Sequence, residues 1–241
     1  MINLLEPIIK WIQEQVSWAN AQGVIVGLSG GVDSALVAYL AKRAFPQNSL
    51  ALLLPIGSSR PQDKIDALAV ANYLKLDYQE IDLTLAYNLI AQPLVKQIEQ
   101  QPLIGGNIQA RLRMLHLYAL AQSKNYLVLG TDNKAEYDLG YFTKHGDGAC
   151  DLLPISHLFK SQVYALAKAV GIPESVLTKA PSAGFWTDQA DEIELGFSYN
   201  DYEAYCHNQL VDLKTKTKIE RQINLTAHKR QSIPRFGIDK K

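Results

Sequence analysis

The sequence predicts an α/β protein built on an open parallel sheet with helices on both faces and a helical C-terminal part. Three observations point that way. The runs Gly23 to Leu28, Ser49 to Leu54 and Tyr126 to Leu129 are short and apolar without polar alternation, as suits strands covered on both faces. Segments with helical periodicity separate them, the alternation that makes a doubly wound, Rossmann-like sheet. A glycine-rich turn, Ser29-Gly30-Gly31-Val32-Asp33-Ser34, joins the first run to the next helical segment.

Taken in order, Leu5, Ile8, Ile9, Ile12 and Val16 form the stripe of an amphipathic helix, and Gly23 stops it. Val32, Ala35, Leu36, Tyr39 and Leu40 share one helical face, and so do Ile108, Leu112, Leu115 and Ala119. Asp77 to Leu83 is a more polar strand that belongs near an edge. Val163, Leu166, Ala167 and Val170 form a last stripe ending at Gly171, and Pro173 opens a short helix. Pro181 to Gly196 has small residues near its start, several acids and no period, which predicts a mobile active-site loop over 181–196. No repeat or linker divides the chain, so 1–241 is expected to be a single domain.

Composition narrows the function. With 241 residues, 47% of them hydrophobic, the chain is long enough to bury one sizeable core. Lys+Arg and Asp+Glu both number 24, which gives no reason to expect nucleic acid as a partner. No run of about 18 apolar residues is present to span a membrane, so a soluble, cytoplasmic protein is expected. The two cysteines, Cys150 and Cys206, are too few and too far apart for a disulfide framework or a Cys-type zinc site.

In open parallel sheets the ligand lies beyond the carboxyl ends of the strands. There the turn after the first strand gathers backbone N–H groups, the positive end of a helix and the hydroxyls of Ser29 and Ser34, an anion cradle. It lacks both the lysine of a Walker loop and the Gly-x-Gly-x-x-Gly spacing. Asp33 within it would repel phosphate unless a cation bridged them, which Mg²⁺ held by one carboxylate and phosphate oxygens would do. The bland alternative is a tight turn with Asp33 favouring the helix N-terminus. The Ser-Gly-Gly-x-Asp-Ser pattern resembles the loop of ATP-pyrophosphatases, which adenylate a carboxylate or carbonyl oxygen.

Gly130-Thr-Asp-Asn-Lys-Ala-Glu136, Gly140-Tyr-Phe-Thr-Lys-His-Gly-Asp-Gly148 and Asp151-Leu-Leu-Pro-Ile155 resemble the motifs of ammonia-dependent NAD synthetases, a family within that superfamily. Further matches run from Gly106 to Met114, through Lys160, Lys179 to Ala183 and Asp191 to Gly196, to His228-Lys-Arg230, covering nearly the whole chain. The resemblance implies a ligase in which ATP adenylates the nicotinate carboxylate of deamido-NAD, and ammonia then displaces AMP to give NAD. It implies that Gly27, Leu28, Ser29, Gly30, Gly31, Val32, Asp33, Ser34, Thr131 and Lys160 bind ATP, and that Asp33 and Glu136 hold Mg²⁺ and serve catalysis with Lys160. Asn107, Arg111, Lys144, Asp147, Asp151, His228 and Lys229 are implied for deamido-NAD, and a homodimer is implied as the assembly. Acids in that set suit hydroxyl recognition, since carboxylates accept from ribose hydroxyls. His145, Ala149-Cys150 and Ala190 depart from the family pattern. Taken singly, Arg111 and Lys160 read as surface charges and His228-Lys-Arg230 as a basic tail. Neither cysteine has the setting of a glutaminase nucleophile, and the motifs leave no room for a glutaminase domain, so free ammonia is the expected nitrogen source. The competing readings are another ATP-pyrophosphatase, acting on GMP synthesis or tRNA, and a non-catalytic nucleotide sensor.

Overall fold

The computed structural model describes residues 2–57, 60–179 and 191–236. β1 (Gly23–Gly27), β2 (Ser49–Leu53), β3 (Asp77–Glu80) and β4 (Tyr126–Leu129) form one parallel sheet in the order β3-β2-β1-β4. β1 pairs with β2 through Val24 opposite Ser49 and with β4 through Gly23 opposite Tyr126. The strand order therefore reverses between β1 and β4, and the crevice of the fold opens at their carboxyl ends. β3 is the edge strand and every residue in it is exposed, as its polarity predicts, although it ends at Glu80 rather than Leu83.

α1 (Leu5–Trp18) and α2 (Val32–Ala44) pack on one face of the sheet, where Ile12, Val24, Val26, Leu36 and Leu40 are buried together. α3 (Pro61–Leu74) follows β2 and adds Ala67, Val70 and Ala71 to that face. α4 (Thr84–Ala91), α5 (Val95–Gln100) and α6 (Pro102–Lys124) lead to β4, and α6 lies on β1 and β4. The second face buries Ile25, Leu50, Leu52, Leu112 and Val128, so neighbouring residues of β1 point to opposite cores as the pleat requires. The stripe expected on α6 is only partly internal. Leu112 is buried but Leu115 and Ala119 are exposed, since α6 turns Ile108, Leu112, Leu117 and Ala121 toward the second face of the sheet.

After β4 the chain forms α7 (Lys134–Leu139), α8 (Lys160–Ala169) and α9 (Glu174–Leu177). α10 (Asp191–Leu195), α11 (Tyr199–Cys206) and α12 (Leu213–Leu225) follow, and a 3-10 turn spans Ala227–Lys229. α8 packs on α2, so Val163 and Leu166 join the first core. α7, α11 and α12 make a third core around Leu139, Tyr202 and Ile219. The loop expected over 181–196 lies outside the described residues as far as 190, and Asp191–Leu195 is helical rather than irregular. Trp11 and Trp18 both reach the surface, Trp18 almost fully.

Ile25 has no exposed surface in the central strand. Ile25→Ala should therefore cost about 2–5 kcal/mol of unfolding free energy, read from urea denaturation, whereas Leu210→Ala at a fully exposed position should stay within about 0.5 kcal/mol of the parent.

Candidate active site

The glycine turn leaves β1 and enters α2 with its hydroxyls bonded to each other. Ser29 Oγ lies 3.0 Å from Ser34 Oγ, Ser34 Oγ donates to the Gly31 carbonyl at 3.0 Å, and the Ser29 amide donates to Ser34 Oγ at 3.2 Å. No side chain caps the start of α2, whose first-turn residues Val32, Asp33 and Ser34 line the cleft, an arrangement that can accept an anion. Gly30 is required on two counts. Its φ is +80°, and a Cβ there would stand 2.2 Å from the Asp63 carbonyl oxygen. α3 is thereby pressed against the turn. Lys179 fastens the contact: its ammonium pairs with Asp63, reaches Asp66 Oδ2 at 3.1 Å and donates to the Gly30 carbonyl at 3.4 Å.

Asp33, Glu136 and Lys160 come from the starts of α2, α7 and α8 and meet at the crevice. Lys160 Nζ lies 2.5 Å from Asp33 Oδ2 and 3.3 Å from Glu136 Oε1. Asn133 aligns the pair. It caps α7 through its side-chain oxygen, its amide donates to Glu136 Oε2 at 3.0 Å, and its Nδ2 donates to Asp33 Oδ1 at 3.0 Å. Burial opposes the charge on Lys160, yet Asp33 and Glu136 raise its pKa above the ordinary lysine value. Burial pushes Glu136 up to about 7 despite the pull of Lys160. The group is therefore more acidic in composition than Lys160 alone neutralises. Asp191, at the start of α10, adds a third carboxyl, itself raised by burial against the attraction of Lys160.

The surrounding cleft, of about 310 Å³, is lined by Gly27, Leu28, Ser29, Gly31, Val32, Asp33, Ser34, Thr131, Glu136 and Lys160. Thus the nucleotide-binding set expected from the sequence converges, with Gly30 just behind the lining. Asp63, Arg113, Asp132, Lys179 and Asp191 also line the cleft and were not expected as site residues. Asp132 is buried, and its Oδ2 is sealed without a hydrogen-bond partner. Burial and then the charges of Asp147, Glu136 and Asp33 hold its pKa well above the usual carboxylate range. Its position directly after β4 was the available signal. Arg113 donates to the Leu54 carbonyl at 3.1 Å, a partner 59 residues away that helical spacing does not reveal.

The second expected set assembles differently. Asn107 accepts from Thr143 Oγ1 at 2.6 Å, Asp147 accepts from the Thr143 amide at 2.8 Å, and Arg111 donates to the Lys144 carbonyl at 3.2 Å. Lys144 Nζ donates to the His228 carbonyl at 2.8 Å, and Lys229 Nζ donates to the carbonyls of Gly140 and Phe142 at 2.7 and 2.6 Å. Asp151 accepts from the Val128 amide at 2.8 Å and from the Tyr118 hydroxyl at 3.2 Å. All but Asp151 frame the 140–148 loop, and of the set Asp147 lines the cleft. Cys150 packs beneath Gly130, where a Cβ would be 2.5 Å from its sulfur. Burial and the charges of Asp132 and Asp151 push its thiol up to about 12, which leaves it protonated at neutral pH. His207 packs against Phe159 at a tilt of 48°, with ring centroids 5.0 Å apart.

A family model described as NAD synthase matches residues 4–236. The NH(3)-dependent NAD(+) synthetase of Mycoplasmopsis pulmonis (strain UAB CTIP) is 51% identical over 93% of this chain and 86% of its own length. Among solved structures, NMN synthetase from Francisella tularensis superposes with a TM-score of 0.91 at 38% identity, covering 98% of both chains. The NH3-dependent NAD synthetase from Campylobacter jejuni subsp. jejuni NCTC 11168 gives a TM-score of 0.79 at 36% identity, covering 97% of this chain and 98% of that one.

The Lys179 clamp has a definite pH signature. Burial tends to raise the pKa of Asp66, but hydrogen bonds from Gln62, Lys179 and Ser175 outweigh it and hold the group below its ordinary value of 3.8. The stability it contributes is thus present above pH 3.8 and is lost as pH falls through the lower folded-state value. Asp66→Asn should cost about 1.5–3 kcal/mol near neutrality, with the gap to the parent protein closing in acid; unfolding curves at a series of pH values measure both.

Proposed function

The chain belongs to the NAD synthase family, and we propose that this cleft forms the amide of NAD from deamido-NAD, ATP and free ammonia. In the first step a nicotinate carboxylate oxygen attacks the α-phosphorus of ATP, the bond to the bridging oxygen breaks and pyrophosphate leaves. In the second the ammonia nitrogen attacks the acyl carbon, the bond to the AMP oxygen breaks, and the nitrogen gives up a proton. The observation that carries the reading is Lys160, held by Asp33 and Glu136 beside the glycine turn. Such a step brings a carboxylate to a polyphosphate, and a positioned ammonium with backbone donors offsets the accumulated negative charge.

Residues 27–34, Thr131 and Lys160 take the nucleotide. Asp147 faces the acceptor side of the cleft, Asn107, Arg111, Lys144, His228 and Lys229 complete the deamido-NAD side by holding the 140–148 loop in place, and Asp151 joins β4 to α6 beside them. Mg²⁺ fits the donor set. Two hard carboxylates with more negative charge than Lys160 balances suit a cation bound by one or two protein oxygens and completed by phosphate. Asp33 and Glu136 would hold the ion, which when bound withdraws charge from the phosphates.

The sharper superposition on the NMN synthetase at similar identity favours testing nicotinate mononucleotide as a second acceptor. Leu85 and Leu89 on α4 and Leu103 and Leu115 on α6 are exposed, an apolar surface that supports association into a homodimer. No helix among the described residues is long and apolar enough to cross a membrane, and nucleotide substrates suit a cytoplasmic enzyme.

Incubation with ATP, Mg²⁺, deamido-NAD and ammonium should yield NAD and AMP by mass spectrometry, while glutamine with ammonia scavenged should yield none. Production of NMN from the mononucleotide in competition would reassign the acceptor. Asp33→Ala and Glu136→Ala should each lower pyrophosphate release by at least about 10²–10³-fold with the fold intact by circular dichroism; near-parental release would remove them from the site.

A further inference from the structure

Tyr199 opens α11, an element that contributes none of the cleft's lining residues, yet it reaches the charged centre from behind. Its hydroxyl lies 3.2 Å from Glu136 Oε1 and 3.0 Å from Asp191 Oδ2, and its ring centroid is 5.0 Å from Lys160 Nζ. One side chain thus touches both carboxyls that flank Lys160 on that side and presents a π face to the ammonium. The residue is buried, and its backbone is fixed as firmly as its hydroxyl. Ser198 and Asp201 form a capping box at the start of α11, the Tyr199 amide donates to Glu192 Oε1 at 2.9 Å, and Tyr202 bonds Asp138 of α7 at 2.5 Å.

Packing in the third core explains the ring but not the hydroxyl. A phenylalanine would fill that core equally, whereas two neighbouring buried carboxyls need a donor between them to keep a fixed orientation. Glu136 makes the case sharply. Its Oε2 is held by the Asn133 amide, and Lys160 and Tyr199 converge on its Oε1, so the phenol completes the set of bonds that fix the carboxylate.

We propose that Tyr199 is a positioning residue for the adenylation step, setting Glu136 and Lys160 against the triphosphate through its hydroxyl. The inference rests on the reading of Asp33 and Glu136 as the pair that holds the cation with ATP. Groups that orient ligating side chains typically account for 10–100-fold in metal affinity or rate.

The test compares the parent protein with Tyr199→Phe and Tyr199→Leu. Pyrophosphate release is followed over a range of Mg²⁺ concentrations, and ATP binding is measured by calorimetry with and without Mg²⁺. Tyr199→Phe should stay folded well above the assay temperature and keep its KM for deamido-NAD while kcat falls about 10–100-fold and the Mg²⁺ midpoint rises. Calorimetry should show weakened ATP binding only when Mg²⁺ is present. Tyr199→Leu, which also loses the ring face beside Lys160, should fall further and melt earlier. Parental rate and Mg²⁺ dependence in Tyr199→Phe would overturn the proposal, as would a loss that merely tracks a lowered unfolding midpoint. A parent protein whose ATP binding and turnover ignore Mg²⁺ would instead overturn the reading of Asp33 and Glu136, and this inference with it.

Discussion

The ammonium of Lys160, held between Asp33 and Glu136, is the interaction on which the geometry of the cleft depends. Buried carboxylates close together repel unless a cation or a proton intervenes. A lysine that is itself nearly buried supplies that cation and is stabilised by the same contacts. The constraint spreads outward from there. Asn133 ties the two acids to the cap of α7, and Tyr199 and Tyr141 hold Asp191 at the rim. α2, α7 and α8 cannot shift independently without leaving a charge unpaired, a costly outcome in a site shielded from water.

The same logic extends to the glycine turn, which is held from outside the cleft. Close contact of Gly30 with α3, and the grip of Lys179 on Asp63 and Asp66, brace the turn from the side opposite the cleft. Preorganised donors avoid a reorganisation cost when charge develops on the substrate. The excess of acid over base in this region is the corresponding liability, since it disfavours the ligand-free state and favours a loaded one.

Much of this was legible in the sequence, for reasons that differ by residue. Unbroken apolar runs betray strands covered on both faces, so β1, β2 and β4 stand where periodicity puts them. The glycine turn announces itself because its chemistry is local and contiguous. Lys229 was harder to interpret: sequence offers its charge, but only the folded chain reveals that the ammonium grips the Gly140 and Phe142 carbonyls. Arg113 and Tyr199 act through partners that spacing along the chain does not expose. Leu115 misled for the opposite reason, because it shares the helical period of Leu112 yet points to the surface, while Leu117 and Ala121 carry the packing on the sheet.

The central strand pairs with β4 across about a hundred residues, and Lys160 stands 127 positions beyond Asp33. During synthesis at roughly 5–20 residues per second, the glycine turn leaves the ribosome on the order of ten seconds before the lysine that pairs with Asp33. Through that interval β1 has its β2 neighbour but an open edge on the other side, the kind of unpaired strand that templates misassociation. The reversal of strand order that creates the crevice thus also delays the shielding of a strand whose residues Val24, Ile25 and Val26 end with no exposed surface.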